Sequence, residues 1–163
     1  MKKIGLLSDT HAYIDDFILN NLKECDEIWH AGDFGSIDVA KKLATLATVK
    51  AVYGNVDGTD VRNYFPLDLR FKCEQVDVLM THIGGYPNRY EKRMQTIFHR
   101  NPPKLFISGH SHILKVMYDK HYNFLHINPG SAGKYGFHLK RTLIRFQIDG
   151  NLIQNLEVVE IDK

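Results

Sequence analysis

Short apolar runs, each stopping abruptly in glycine and polar residues, set the rhythm of this chain. The first, Ile4-Gly5-Leu6-Leu7, runs into Ser8-Asp9-Thr10-His11 and predicts a buried strand ending in a carboxylate and an imidazole two residues apart. Positions i and i+2 of an extended chain point to one side, so Asp9 and His11 can face one point. Ile14, Phe17, Ile18 and Leu22 then recur at helical spacing, predicting an amphipathic helix to about Glu24. Glu27-Ile28-Trp29-His30 predicts a short strand that stops at Ala31-Gly32-Asp33. Ser36 suits the N-cap of a second helix carrying Ala40, Leu43, Ala44 and Ala47 on one face. Thr48 to Tyr53 is β-branched and alternating, and it stops at Gly54-Asn55-Val56-Asp57-Gly58. A β-α-β-α-β order of this kind predicts a mostly parallel sheet covered by helices.

The pattern then changes. Two alternating stretches over 67–82 predict an antiparallel pair that turns near Glu74-Gln75 and delivers Thr81-His82. Tyr90, Met94, Ile97 and Phe98 share one face of a third predicted helix, ended by Pro102-Pro103. Leu105-Phe106-Ile107-Ser108 is a buried-type strand that releases Gly109-His110-Ser111-His112. Beyond it the pattern predicts a β meander over 113–119, 123–127, 138–147 and 152–160. Its turns fall at Asp119-Lys120, Asn128-Pro129-Gly130-Ser131 and Asp149-Gly150-Asn151. No repeat, linker or low-complexity segment interrupts the chain, so residues 1–163 are expected to form one domain, α/β in front and β-rich behind.

Composition narrows the class without naming it. With 163 residues, 44% apolar and 25% charged, the chain resembles an ordinary globular protein. A net charge of +2 gives no reason to expect a nucleic-acid or membrane partner. Lys2 and Lys3 precede too few apolar residues for a signal peptide, and no run approaches the roughly 20 needed to cross a bilayer. Cys25 and Cys73 fit no metal or redox spacing, so free thiols and a cytoplasmic location are expected.

The placement of the polar strand ends carries the chemistry. Asp9, His11, Asp33, Asn55, His82, His110 and His112 all follow predicted strands, and open α/β sheets bind ligands outside the carboxyl ends of their strands. The glycines before Asp33, Asn55 and His110 fit a backbone that bends sharply. Oxygen donors beside imidazoles suit Mn, Fe or Zn rather than Ca. For any one of these histidines a hydrogen-bonded structural role would be the better reading; the set of seven reverses that preference. Three oxygen donors and four imidazoles exceed the needs of one ion and fit two ions sharing a carboxylate.

The ordered series Asp9-x-His11, Gly32-Asp33, Gly54-Asn55-x-Asp57, His82 and Gly109-His110-x-His112 resembles the calcineurin-like metallophosphoesterase superfamily. Length, order and spacing are most similar to its small YfcE-like branch, which also contains the scaffold subunit of eukaryotic retromer. The resemblance extends from Ile4 to about Ser131. It implies a four-layer α/β/β/α sandwich of two mixed β-sheets flanked by helices, with the site at one edge of both sheets. It implies one metal ion at Asp9, His11, Asp33 and His112 and a second at Asp33, Asn55, His82 and His110, with Asp33 bridging. It further implies hydrolysis of a small phosphoester, nucleotide-derived molecules included, by a metal-bridging hydroxide, with Asp33, Asn55, Asp57, His82 and His110 as the catalytic set. Asp57 would orient its neighbours rather than bind metal. Mn is the expected ion, and Fe, Zn and Ni satisfy the same donors.

The chain departs from the superfamily pattern at Val56, where many members carry a histidine that protonates the leaving group. General acid help of that kind is worth about 10²–10⁴-fold, so phosphodiesters with good leaving groups are the expected substrates and alkyl monoesters poor ones. Ile83 stands where a glycine often follows the histidine. An interaction scaffold with the same fold is the alternative reading, and pairing of β edges leaves a homo-oligomer open. His30 reads equally as core or as support for the site, while His99, His121, His126 and His138 match no motif. Asn128 to Ser131 is first a turn, brought near the site by the resemblance. Arg89, Lys92, Arg93 and Arg100 read as the solvated face of the third helix, with a phosphate-rich partner as the lesser reading.

Overall fold

The computed structural model describes all 163 residues. Two five-stranded sheets form its centre. In the first, β1 (Lys2–Leu7), β2 (Glu27–His30) and β3 (Thr48–Ala51) run parallel, and β11 (Lys140–Asp149) and β12 (Leu152–Asp162) complete it antiparallel, in the order β12-β11-β1-β2-β3. The second, in the order β4-β5-β8-β10-β9, joins β4 (Asp68–Cys73), β5 (Val76–Thr81), β8 (Leu105–Ile107), β9 (Leu114–Asp119) and β10 (Phe124–Pro129). Here β5, β8 and β10 are parallel, with antiparallel edges.

Side-chain alternation sorts these strands into layers. Ile4 and Leu6 of β1, Val78 and Met80 of β5, Leu105 and Ile107 of β8, and Ile144 and Phe146 of β11 fill the space between the sheets. The opposite faces bury Leu7, Ile28 and Leu143 against α1 (Asp16–Leu22) and α2 (Ile37–Ala44), and Leu79, Phe106 and Phe124 against α4 (Lys92–Arg100). The four-layer α/β/β/α order is thus present as expected. Ser36 caps α2 by accepting from the Asp38 amide, as its sequence position predicts. No helix is long and apolar enough to cross a membrane.

The structure departs from the sequence reading locally: Ile14 lies ahead of α1, which starts at Asp16. The back half is not one meander: β9–β10 and β11–β12 are hairpins in different sheets, and the chain crosses the sandwich between them. Strand pattern marks both hairpins but not the sheet each one joins. Ala47 lies beyond α2, which ends near Thr45. Tyr90 precedes the third long helix; it belongs to a two-stranded ribbon of β6 (Gly85–Tyr86) and β7 (Arg89–Tyr90) that alternation over two residues could not announce. A one-turn helix, α3 (Thr59–Arg62), follows the Asp57 loop and is too short to show a period.

Candidate metal centre

Parallel pairing brings the carboxyl ends of β1, β2 and β3, and of β5 and β8, to one edge of the sandwich. The seven residues singled out in the sequence all lie there. Asp9, His11 and His112 present ligand atoms within 4.8 Å of one another, and so do Asp33, His82 and His110. Asn55 joins the second group, its Oδ1 3.1 Å from His82 Nε2. Asp33 Oδ2 lies between the groups, 3.1 Å from His82 Nε2 and 3.8 Å from His11 Nε2, where a carboxylate shared by two ions would be.

The local backbone explains the convergence. Asp9, His11, Asp33, His110 and His112 all have φ between 44° and 71°, so each strand turns sharply as it leaves its sheet. Hydrogen bonds between loops fix these turns. Asp9 N–H donates to Gly32 O at 3.0 Å and His11 N–H to Asp33 O at 3.1 Å. Asp9 Oδ2 accepts from Ser8 Oγ at 2.6 Å and from the His110 amide at 3.1 Å. Ser131 Oγ donates to Asp9 O, and Asn128 Nδ2 to Gly109 O, so the Asn128–Ser131 turn supports both ligand loops. Gly32 is required by proximity as well as by its φ of 98°: a Cβ there would sit 2.6 Å from His82 Nδ1.

The donor chemistry fits a cation. His82 Nδ1 lies 2.7 Å from Ala31 O; a carbonyl only accepts, so Nδ1 carries the proton and a neutral ring turns the Nε2 lone pair inward. That lone pair meets Asp33 Oδ2, Asn55 Oδ1 and, at 3.9 Å, Asp9 Oδ1. Asp9 Oδ1 is buried without a hydrogen-bond donor, 3.3 Å from His112 Nε2 and 3.8 Å from His11 Nε2. Acceptors facing acceptors repel unless a proton or a metal ion lies among them.

The titration behaviour follows. Burial lowers His11 below the ordinary histidine value despite the pull of Asp33 and Asp9. Burial also opposes charge on His82, but its hydrogen bond to Asp33 and the charge of Asp9 win and raise it. Burial pushes Asp33 upward, but its bond to His82, the His82 and His11 charges and the Val56 amide together hold it below the usual carboxylate range.

Asp57 is buried and faces away from the donors. Its carboxylate accepts from the amides of Phe34 at 3.2 Å, Gly35 at 2.9 Å and Gly54 at 2.8 Å, tying the Asp33 turn to the Asn55 turn. His30 supports the site from the core. Nδ1 accepts from the Gly32 amide, Nε2 meets Thr10 Oγ1, and Thr10 donates to Phe34 O. Full burial pushes His30 down to about 3, which keeps it in the neutral form this relay needs.

Sequence reasoning missed the other face. Tyr135 lies with its ring 4.9 Å from that of His11, Gly136 backs onto His112, and His138 packs 5.2 Å from His112 while its Nε2 meets Gly133 O. The loop carrying them has no period, so no signal tied it to His11 and His112. His99 and His121 stay outside the centre, packed against Tyr122.

Comparison with known proteins bears on the family and the fold. Residues 1–151 match the model of the calcineurin-like phosphoesterase superfamily domain. A protein of Methanothermobacter thermautotrophicus named "Probable metallophosphoesterase" is 30% identical over 138 residues, covering 78% of this chain and 76% of that protein. The fold is similar to that of a structurally characterised archaeal phosphodiesterase (TM-score 0.77, 21% identity, 96% of this chain and 99% of that one). It is also similar to Vps29 of Entamoeba histolytica in complex with Zn²⁺ (TM-score 0.75, 17% identity, 98% of both chains).

Proposed function

Because the chain belongs to the calcineurin-like phosphoesterase superfamily, we propose that it hydrolyses phosphodiesters and other activated phosphoesters with two divalent transition-metal ions as cofactors. The observation that carries this reading is the buried, donor-less Asp9 Oδ1 facing the Nε2 atoms of His11, His82 and His112. One ion belongs to Asp9, His11, Asp33 and His112, the other to Asp33, Asn55, His82 and His110, and Mn²⁺ is the ion of choice. Bound there, two such ions lower the pKa of an attacking water and neutralise phosphoryl oxygens.

The chain's own residues do the rest. Ala31 O fixes the tautomer of His82, and the Val56 amide holds Asp33 Oδ1 at 3.0 Å. Val56 itself stands half-exposed at the mouth and has no proton to give a leaving group. Substrates whose leaving group departs as a stable anion are therefore favoured.

The test compares bis-p-nitrophenyl phosphate with p-nitrophenyl phosphate, using chelator-stripped protein, added Mn²⁺ and Asp33→Ala as control. Metal-dependent turnover favouring the diester, binding of two ions per chain, and loss of both in a folded Asp33→Ala protein are expected. Preference for the monoester would discard the account of Val56. No turnover with Mn²⁺, Fe²⁺, Zn²⁺ or Ni²⁺ in folded protein would favour the interaction-scaffold alternative.

A further inference from the structure

The basic residues around α4 separate into two groups. Arg93 is paired with Asp68. Arg89 and Lys92 are exposed, take part in none of the ion pairs of the molecule, and line a groove of about 440 Å³ that His110 also lines. A second hollow of about 250 Å³ adjoins it around Tyr86, with Lys115 on its wall. The Lys115 ammonium lies 4.8 Å from the centre of the half-exposed Tyr86 ring and likewise has no carboxylate partner. Glu91 is the one acid lining either space. Three cations against one carboxylate give this approach to the centre a positive potential.

The floor of the second hollow carries an independent sign of a ligand. His126 is fully buried against Phe106, and neither ring nitrogen has a hydrogen-bond partner. Burial first, then the charge of Lys115, push it down to about 4, so it stays neutral with one donor and one acceptor. Buried polar atoms without partners are uncommon and need a reason.

We propose that this groove receives a second phosphate of the substrate, making the preferred substrate a nucleotide-derived phosphodiester that carries another phosphate near the scissile one. Arg89 and Lys92 contact that phosphate, and a base lies against Tyr86, within reach of Lys115 and His126. Aromatic faces accept any base, and exposed cations bind phosphate without reading sequence. The inference rests on the phosphoesterase reading and names its substrate class. The second phosphate can come from the end of a short oligonucleotide, whose sugar oxygen leaves slowly with no acid at Val56, or from the bridge of a dinucleoside polyphosphate, whose nucleotide leaves as a stable anion.

The test measures kcat/KM of the Mn²⁺-loaded protein for ApA, pApA and diadenosine triphosphate, with bis-p-nitrophenyl phosphate as reference. Binding of ApA and pApA to metal-free protein is followed by calorimetry. A preference of about tenfold for pApA over ApA is expected, the yield of two solvent-exposed ion contacts. It should shrink with added salt and fall to about one in an Arg89→Gln/Lys92→Gln protein. Better turnover of diadenosine triphosphate than of pApA would assign the second phosphate to a polyphosphate bridge. Cleavage of bis-p-nitrophenyl phosphate with equal kcat/KM and equal binding for ApA and pApA would overturn the groove assignment alone. So would a preference that survives the double substitution. Absence of bis-p-nitrophenyl phosphate turnover would overturn the phosphoesterase reading and this inference with it.

Discussion

Asp57→Asn isolates the contribution of a side chain that binds no metal in the proposed arrangement. The carboxylate is 3% exposed and accepts three backbone N–H bonds, two at Oδ2 from Gly54 and Phe34 and one at Oδ1 from Gly35. An asparagine of the same shape keeps one oxygen. Its best orientation leaves that oxygen with the two-donor side and turns an NH₂ toward the Gly35 N–H. One charge-assisted bond is then lost, and the other two become neutral bonds of roughly half the strength. At about 1.5–3 kcal/mol for a bond to a charged group, the loss comes to roughly 3–6 kcal/mol, or about 6–24 °C in Tm for a chain of this size. The same bonds hold the Asp33 and Asn55 turns together, so metal affinity should fall by about 10–100-fold, the usual cost of losing a group that orients ligands. Urea denaturation of metal-free protein measures the first effect and calorimetric titration with Mn²⁺ the second. Wild-type stability within about 0.5 kcal/mol, together with unchanged affinity, would refute the reasoning.

Three further outcomes follow from the same kind of accounting. Asp15→Ala removes the carboxylate that receives both Nη atoms of the nearly buried Arg141, at 2.9 and 3.0 Å, and uncaps α1 at the Ile18 amide. It should cost about 3–5 kcal/mol in urea denaturation, and a loss below about 1 kcal/mol would contradict it. His30 and His126, at about 3 and about 4 when folded against 6.5 otherwise, bind fewer protons in the folded state. Their contribution is therefore complete above pH 6.5 and disappears as the pH falls toward 4, by up to roughly 1.4 kcal/mol per unit for each histidine. His82, raised rather than lowered, changes its contribution only above pH 6.5, and His11, lowered by burial, adds to the loss in the same direction; flat stability of metal-free protein between pH 6.5 and 4.5 would refute this. Val56→His restores an imidazole at the mouth and should raise turnover of alkyl phosphomonoesters by at least about tenfold. Unchanged rates would show that leaving-group protonation is not limiting.

Much of this was legible in the chain because strand ends are local events. Asp9, Asp33, Asn55, His82 and His110 each follow an apolar run that is a strand in the structure, and parallel pairing alone carries such ends to one edge. What stayed hidden depends on long-range packing. Nothing in the alternation of β11 reveals that it pairs with β1 rather than with β10. His30 and His126 look alike in sequence, yet one has both ring nitrogens engaged and the other neither. The basic run 89–100 could be separated only once Asp68 was found beside Arg93 and a groove beside Arg89 and Lys92.

The backbone of the centre also bears on the choice between an enzyme and a scaffold. Ten non-glycine residues have positive φ; Glu74, Asn88 and Asn123 lie in hairpin turns and Asn155 at the bulge of β12. Of the remaining six, five are candidate ligands and the sixth, Ala12, adjoins His11. Left-handed backbone costs about 1–2 kcal/mol per residue for most side chains, less for Asp and His. The ligand set therefore commits on the order of 5 kcal/mol, close to the whole net stability of a modest domain. Such geometry persists only where surrounding bonds over-determine it, and here they do, through Asp9 and His11 to the Gly32–Asp33 turn and through Ser131 to Asp9. Most of each core comes from strands and helices; Ala31, Phe34, Val52 and Ala132 of the adjoining loops are buried in it too, but none of the five ligands is. A surface that only held a partner protein could relax them to ordinary loops and gain stability. Their cost is repaid only where carboxylates and imidazoles must converge on charge.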